Sequence, residues 1–504
     1  MTAPEPSRDD RARSVQDYID ERPVWADGTI VAWTPMTAMQ WRIWGLAAAG
    51  KFFEGLVVFM TGVATPLIAR EFNMTAAEHG LVSAATLFGI LIGAIALGGL
   101  ADYFGRKLLF VAEMVIFVVF LVLLTASPSL PWLIVFLFGI GLALGCDYPT
   151  AHLMISESTP SNLRGRLVLS AFGFQALGVL VGTAVGFAVL HHFPDIGAWR
   201  WMYATAIVPA LLVTIGRFFV LESASWQLSR GRVEEAEHTT ASLLRRHPPY
   251  PRSVRLSPGP RHHLPHGLRI ARYRVLFNRS NRRATILASV PWLLQDLGTY
   301  GIGIFTPTIL AASLGHEPVQ ARNLSDLVYN DMLAAKGAAL IDVLLLLGII
   351  AAVLLADKVS RITLQAFGFI GCAAGLLLAS MATRVDGNIH IVLIFAGFMV
   401  FNFMTNLGPN AQTYLLAGEV FPTAIRGLGA GFAAAFAKIG AVTTAFLFPI
   451  LLTDIGTRAL LHILVVTSLL GAAVTWIFRI ETARVSLDKI GGGHPEAQAR
   501  TRSA

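Results

Sequence analysis

Long apolar runs alternate along the chain with short polar segments, many of them basic. An α-helix needs about 20 apolar residues to cross the hydrocarbon core of a bilayer. Twelve runs approach or exceed that length, near residues 45–69, 80–100, 107–127, 131–155, 167–190, 200–221, 284–313, 334–356, 362–382, 389–416, 427–452 and 458–480. The pattern predicts an all-α membrane protein of twelve transmembrane helices. The fourth run departs from plain lipid-facing chemistry: Gly139 to Glu157 (GIGLALGCDYPTAHLMISE) carries Asp147, Tyr148, Pro149 and Thr150 in an apolar setting. An ionisable residue at such depth costs a few kcal/mol unless it meets a partner or a watery cavity, which makes it a functional candidate. The structural alternative is a helix-packing hydrogen bond among small residues.

The chain repeats itself. Glu157-x-x-Pro160-x-x-x-Arg164-Gly165 closes the fourth run, and Glu419-x-x-Pro422-x-x-x-Arg426-Gly427 closes the tenth with the same spacing. LADYFGRK (Leu100 to Lys107) follows the second run and LADKVSRI (Leu355 to Ile362) the eighth. Duplicated helix bundles are a common transporter design. The repeats predict two pseudo-symmetric six-helix bundles, 44–221 and 284–480, with a tail at 1–43, a linker at 222–283 and a second tail at 481–504. A short amphipathic pattern near 232–245 and a Pro/His/Arg stretch at 247–266 punctuate the linker. Gly178-x-x-x-Gly182-x-x-x-Gly186 and Gly427, Gly429 and Gly431 read as close helix-crossing sites without chemistry.

Composition agrees with that reading. Of 504 residues, 55% are hydrophobic and 14% charged, so a soluble enzyme is excluded. No nucleophile with a base and no metal-ligand cluster stands out, so neither enzyme activity, metal nor cofactor is expected. The net charge of +8 does not point to nucleic acid, because Arg and Lys gather between runs, at 104–107, 164–166 and 222–283. The last segment holds thirteen Arg and four Glu with no Lys or Asp, which by the positive-inside rule places it, and both termini, in the cytoplasm. Cys146 and Cys372 lie in apolar runs and imply no disulfide framework. The first 43 residues are polar without an apolar core after a basic start, so a partly disordered cytoplasmic tail is expected rather than a cleavable signal.

Polar residues inside the runs come from both halves: Lys51 and Glu54, Glu113, Asp147 and Tyr148, Gln175, then Trp292, Gln295, Asp296 and Tyr300, Asp342, Asn402, Asn406 and Asn410, and Lys438. Trp292, Asp296 and Tyr300 fall four apart and so form one helical stripe. Lys438 needs an anionic partner, either a protein carboxylate or a substrate. With Gln175, Asn410, Tyr148, Tyr300 and the Trp292 indole it makes a donor set suited to an oxyanion. Asp296 adds an acceptor, which suits an anion that still carries acidic hydrogens. Glu54, Glu113 and Asp147 remain as proton carriers, with a static arginine pair as the alternative for Glu113; His152 is a further titratable group. Asp102 with Arg106 and Lys107, and Asp357 with Arg361, sit at helix ends where charge pairs can latch the halves together in one state.

These motifs together resemble the major facilitator superfamily, its sugar-porter-like branch, and within it the phosphate:proton symporters. GCDYPTAHLMISE is similar to their G-G-D-Y-P-L-S-A-T-I-x-S-E signature, LGPNAQTYLLAGEVFPTAIRG to their F-G-P-N-T-T-T segment, and the W-x-x-x-D-x-x-x-Y stripe recurs in them. The resemblance implies substrate ligands at Tyr148, Gln175, Trp292, Asp296, Tyr300, Asn410 and Lys438. It implies a proton route at Asp147, Glu113 and Glu54, and conformational roles at Asp102, Arg106, Lys107, Glu157, Arg164, Asp357, Arg361, Glu419 and Arg426. Departures fall on the first span, where the D-x-x-D pattern gives way to Glu54-Gly55-Leu56-Val57 with Lys51 a turn earlier, and at Ser360, Ser225, Cys146 and Thr150.

The expectation is a proton-coupled importer of a small anion, phosphate first, working by alternating access as a monomer in the cell membrane with no nucleic-acid partner. An organic anion, sugar or polyol is the alternative solute, and a non-transporting nutrient receptor the alternative class.

Overall fold

A computed structural model of the chain describes residues 13–22, 29–30, 34–96, 100, 104–246, 254–257, 273–313, 324–355, 358–382, 391–421 and 425–482. Sixteen α-helices run through it: α1 (Val15–Asp20), α2 (Ala38–Phe72), α3 (Ala76–Ala96), α4 (Arg106–Thr125), α5 (Leu130–Ser158), α6 (Arg164–His192), α7 (Ala198–Ala204), α8 (Ile207–Phe218), α9 (Ala224–Ser229), α10 (Val233–Leu243), α11 (Arg282–Ser313), α12 (Leu324–Leu355), α13 (Arg361–Ser380), α14 (Ile391–Leu407), α15 (Pro409–Glu419) and α16 (Arg426–Ile477). They form the twelve predicted crossings in two bundles of six. The sixth crossing is shared by α7 and α8, and the tenth by α14 and α15, which part at Gly408 where Pro409 opens the second piece. The eleventh and twelfth run on from one another as α16, which is kinked at Gly456. That glycine has φ +77° and ψ 167°, a conformation that a side chain would strain.

Large apolar side chains such as Val208, Leu212, Phe219, Leu354, Val392, Val466 and Ile477 stay exposed on the outside, as expected of a lipid-facing belt. Inside, glycines set the helix spacing. A Cβ at Gly178 would fall on the Phe52 carbonyl, one at Gly182 on that of Leu56, and one at Gly186 on the Val63 side chain, so α6 lies directly against α2. Gly429 is pressed against the Phe421 ring, whereas Gly431 has open space around it and does not serve packing.

The bundles are closed differently at their two ends. At the far end, Gly62 of α2 meets Ile304 of α11, and Gly80 of α3 meets Phe446 of α16, each at the partner's backbone carbonyl. At the other end, which carries the linker, residues 13–22 fold back onto the first bundle. Ser14 and Asp17 form a capping box that starts α1, Tyr18 and Ile19 are buried, and Asp20 accepts from the Ser161 amide and hydroxyl at 2.7 and 2.6 Å. Arg13 pairs with Leu256 of the linker as an isolated parallel bridge. The amphipathic pattern near 232–245 becomes α10, which buries Ala236 and Leu243. Of the Pro/His/Arg stretch, only 254–257 is described.

A buried carboxylate at the centre of the candidate site

Glu54 stands where the two bundles meet, 1% exposed. Its Oε1 accepts hydrogen bonds from Tyr148 Oη of α5 at 2.7 Å, Gln175 Nε2 of α6 at 3.2 Å and Tyr300 Oη of α11 at 3.2 Å. Lys438 Nζ of α16 lies 3.8 Å from the same oxygen. Oε2 pairs with Lys51 Nζ, one turn back on α2, at 3.1 Å. Lys438 also donates to Tyr300 Oη at 2.7 Å and to Asp296 Oδ2 at 3.3 Å. Two lysines and two carboxylates make this cluster formally neutral. Local sequence permits it: the i,i+3 spacing sets Lys51 beside Glu54, and the four-residue step sets Asp296 and Tyr300 on one side of α11 toward Lys438. Gly55, beside Glu54, lets the Gln175 backbone approach to a distance that no Cβ would tolerate.

Asp147, the neighbour of Tyr148, points to a second centre. Arg217 of α8, fully buried, donates to Glu113 Oε1 at 2.5 Å and to Asp147 Oδ1 at 2.8 Å, and its other bonds go to the Phe110 and Leu46 carbonyls at 2.7 and 3.1 Å. The guanidinium lies over the Phe110 ring. Two carboxyl groups share this one cation, and Glu113 Oε2 and Asp147 Oδ2 are buried without a hydrogen bond among the described residues. Gly50 makes room for the Asp147 carboxylate, which would collide with any Cβ there. Arg217 was not among the residues expected to matter. Its signal is an arginine followed by four apolar residues, Phe218 to Leu221, before the first polar one.

Of the remaining expected ligands, Trp292 packs edge-on against Tyr414, with ring centroids 6.1 Å apart, and Asn410 donates to Asn406 Oδ1 at 2.6 Å. Neither is recorded on the Glu54 cluster. Trp292 and Tyr414 cover the site on the linker side: Tyr414 of α15 stacks on Phe172 of α6 at 4.6 Å, and its hydroxyl lies 3.2 Å from His152 Nδ1 of α5. His152 therefore meets Tyr414 across the bundles.

At the linker end the charged motifs tie helices within each bundle. Arg106 Nη2 lies 3.6 Å from Glu157 Oε1, joining α4 to α5. Arg361 grips Glu419 from Nε and Nη2 at 2.7 and 2.9 Å, joining α13 to α15 in the same manner. The equivalence extends to two pairs that lie outside the sequence repeats. Glu222 caps α4 by accepting from the Arg106 and Lys107 amides at 2.9 and 3.0 Å, and Ser223 bonds Glu157. In the second bundle Glu481 bonds Ser360, the N-cap of α13, and Thr482 Oγ1 donates to Glu419 at 2.6 Å. Arg164 donates to Gln16 of α1 and to Ser161, at 2.8 and 3.4 Å. Asp102, Asp357 and the Arg426 side chain lie outside the described residues.

Comparison with known proteins agrees with the fold. The family profile for "Sugar (and other) transporter" matches residues 44–492. The chain is 27% identical to the niacin transporter NiaP of Acinetobacter baylyi, over 91% of this chain and 98% of that protein. It is 24% identical to the repressible high-affinity phosphate permease of Neurospora crassa, over 91% of this chain and 88% of that one. The solved structure of the proton:xylose symporter XylE of E. coli superposes with a TM-score of 0.70 at 19% identity, covering 90% of this chain and 98% of XylE. The chain therefore belongs to the sugar (and other) transporter family, shares the fold of the major facilitator symporter XylE, and is a multi-pass membrane transporter.

Proposed function

We propose that the protein is a proton-coupled symporter that imports a small monovalent oxyanion, phosphate foremost, across the cell membrane, with the linker and both termini in the cytoplasm. The observation that carries this reading is the convergence of Tyr148, Gln175, Tyr300 and Lys438, from four helices of both bundles, on one buried carboxylate oxygen of Glu54. Donors so arranged form an anion seat, and Glu54 acts as its tethered internal occupant. A substrate anion enters when Glu54 is protonated and gives up the donors, so anion and proton travel together. Asp296, held by Lys438, accepts from an acidic hydrogen of the substrate, which favours dihydrogen phosphate over sulfate. The Arg217 centre, where Glu113 and Asp147 share one cation, is a second place for the proton.

A second reading keeps the fold and the coupling but takes an organic carboxylate as substrate. It is favoured by the chemistry of the occupant, since the group the donors already hold is a carboxylate. The deciding experiment is uptake of labelled phosphate into proteoliposomes under an imposed inward proton gradient, with and without a protonophore, competed by arsenate, sulfate, niacin, small carboxylates and sugars. Protonophore-sensitive uptake blocked by arsenate alone supports phosphate. Competition by carboxylates or sugars moves the substrate to that class, and binding without flux makes the protein a receptor.

A further inference from the structure

The buried carboxyl groups differ in what neutralises them. Glu54 and Asp296 face lysines, and Glu113 and Asp147 face Arg217. Asp342 of α12, 5% exposed, faces two neutral groups: Asn402 Nδ2 of α14 at 3.3 Å from Oδ1, and Thr183 Oγ1 of α6 at 3.0 Å from Oδ2. The charged residues on the elements packed against α12 are engaged elsewhere or lie at helix ends. On α2, Lys51 pairs with Glu54, and on α11, Asp296 pairs with Lys438; α14 contains none. On α6, Arg164, Arg166, His191 and His192 lie in the terminal turns, and on α12 itself Lys336 is exposed while Asp331 lies three turns away.

The Thr183 hydroxyl has one hydrogen and three oxygens around it. The Val179 and Leu180 carbonyls are at 3.0 and 3.1 Å, the ordinary back-bond of a helical threonine, and the third oxygen is Asp342 Oδ2. That hydrogen serves either Asp342 or a carbonyl, and in the second case the carboxyl itself supplies the hydrogen of the contact. A neutral carboxylic acid is satisfied here without a counterion, whereas an ionised one would be buried with no cation beside it among the described residues.

Thr183 belongs to the first bundle and Asp342 to the second, so this contact crosses the seam that must part during transport. It lies about two turns along α6 from Gln175 of the anion seat. We propose that Asp342 is a proton site of the transport cycle: it holds a proton while α6 and α12 are closed on each other and exchanges it with water when that seam opens. Closure on an ionised Asp342 would bury an unpaired charge, so the seam closes again only after reprotonation. The proposal deepens the symporter reading and rests on it for its role in coupling, though its protonation state is independent of the substrate.

Two measurements test it. Infrared spectra of the purified full-length protein at neutral pH are compared for wild type, Asp342→Asn and Thr183→Val. A protonated-carboxyl stretch lost in Asp342→Asn and shifted in Thr183→Val is expected; spectra identical in this region would overturn the assignment. In proteoliposomes with phosphate as probe, Asp342→Asn is expected to keep exchange between the two faces. Its gradient-driven accumulation is expected to fall to the level of protonophore-treated wild type. Undiminished accumulation would overturn the role in coupling. If wild type moves no phosphate, the substrate reading has failed, and the infrared comparison still decides whether Asp342 carries the proton.

Discussion

Glu54 Oε1 on α2 and Lys438 Nζ on α16 lie 3.8 Å apart across the two bundles, with the Tyr300 hydroxyl in contact with both. One bundle's carboxylate thus faces the other bundle's cation. In the proposed symporter this pair would tie binding to conformational change, because an anion that takes Lys438 must first displace Glu54.

Replacing Glu54 by Gln removes the competitor and keeps the shape. The protonated fraction of Glu54 rises as pH falls, so wild-type binding of the anion should tighten toward acid, while Glu54→Gln should keep only the shallower slope that comes from phosphate's own loss of its acidic hydrogen toward alkali. At the alkaline end the variant should bind about tenfold tighter, about 1.4 kcal/mol, and its gradient-driven accumulation should be lost. Titration of labelled phosphate against purified protein at several pH values checks both. A pH slope equal to that of wild type would remove Glu54 from the coupling.

Lys438 serves Asp296, Tyr300 and Glu54 at once, so its loss has a wider effect than that of any single donor. Lys438→Gln should weaken anion binding by about 1.5–3 kcal/mol, the range for hydrogen bonds to a charged group. Gln175→Leu should cost less, because it removes one neutral donor. Equilibrium binding on the two variants gives the order directly, and an unchanged affinity in Lys438→Gln would place the anion elsewhere.

Tyr414 closes the linker side with a ring, not with backbone contact as at the far end. Tyr414→Phe should keep the stack on Phe172 and lose the contact to His152, costing about 0.5–1.5 kcal/mol of closure. Tyr414→Ala should leave that side open. A cysteine at Phe172, in a background lacking Cys146 and Cys372, should then react with a membrane-impermeant thiol reagent added from the linker side, faster in Tyr414→Ala than in its parent.

Much of the architecture was legible because membrane helices announce themselves by length and apolarity, and because the Glu-x-x-Pro-x-x-x-Arg-Gly repeat fixed the two-fold plan. The stripe of Trp292, Asp296 and Tyr300 was legible as one face, and the pairing of Lys51 with Glu54 followed from their spacing. Less legible was what each polar residue would meet. Glu54 read as a proton carrier, yet its place among the donors depends on where α5, α6, α11 and α16 cross. For Asn410, read as a ligand, the sequence did not announce the bond it makes to Asn406, four residues earlier across the break at Gly408. The Glu222–Ser223 and Glu481–Thr482 pairs are too short to register as repeats and become equivalent only through what they cap.

Arg217 was hidden for a related reason: near the end of the sixth run it looks like one more basic residue marking the cytoplasmic side. The structure instead buries it with Glu113 and Asp147, and breaking such a centre from the cation side leaves two carboxyl groups uncompensated. Arg217→Met should destabilise the protein by about 3–5 kcal/mol, the usual cost of removing one partner of a buried ion pair. Arg217→Lys keeps the charge but cannot reach both acids and both carbonyls with a planar fork, so it should fall between. Adding Glu113→Gln to Arg217→Met removes one orphaned charge and should recover part of the loss. Thermal unfolding in detergent of the three variants, read against Glu113→Gln alone, measures the coupling. If the losses in the double variant simply add, Arg217 and Glu113 do not act as a pair, and the proton assigned to this centre has no structural basis.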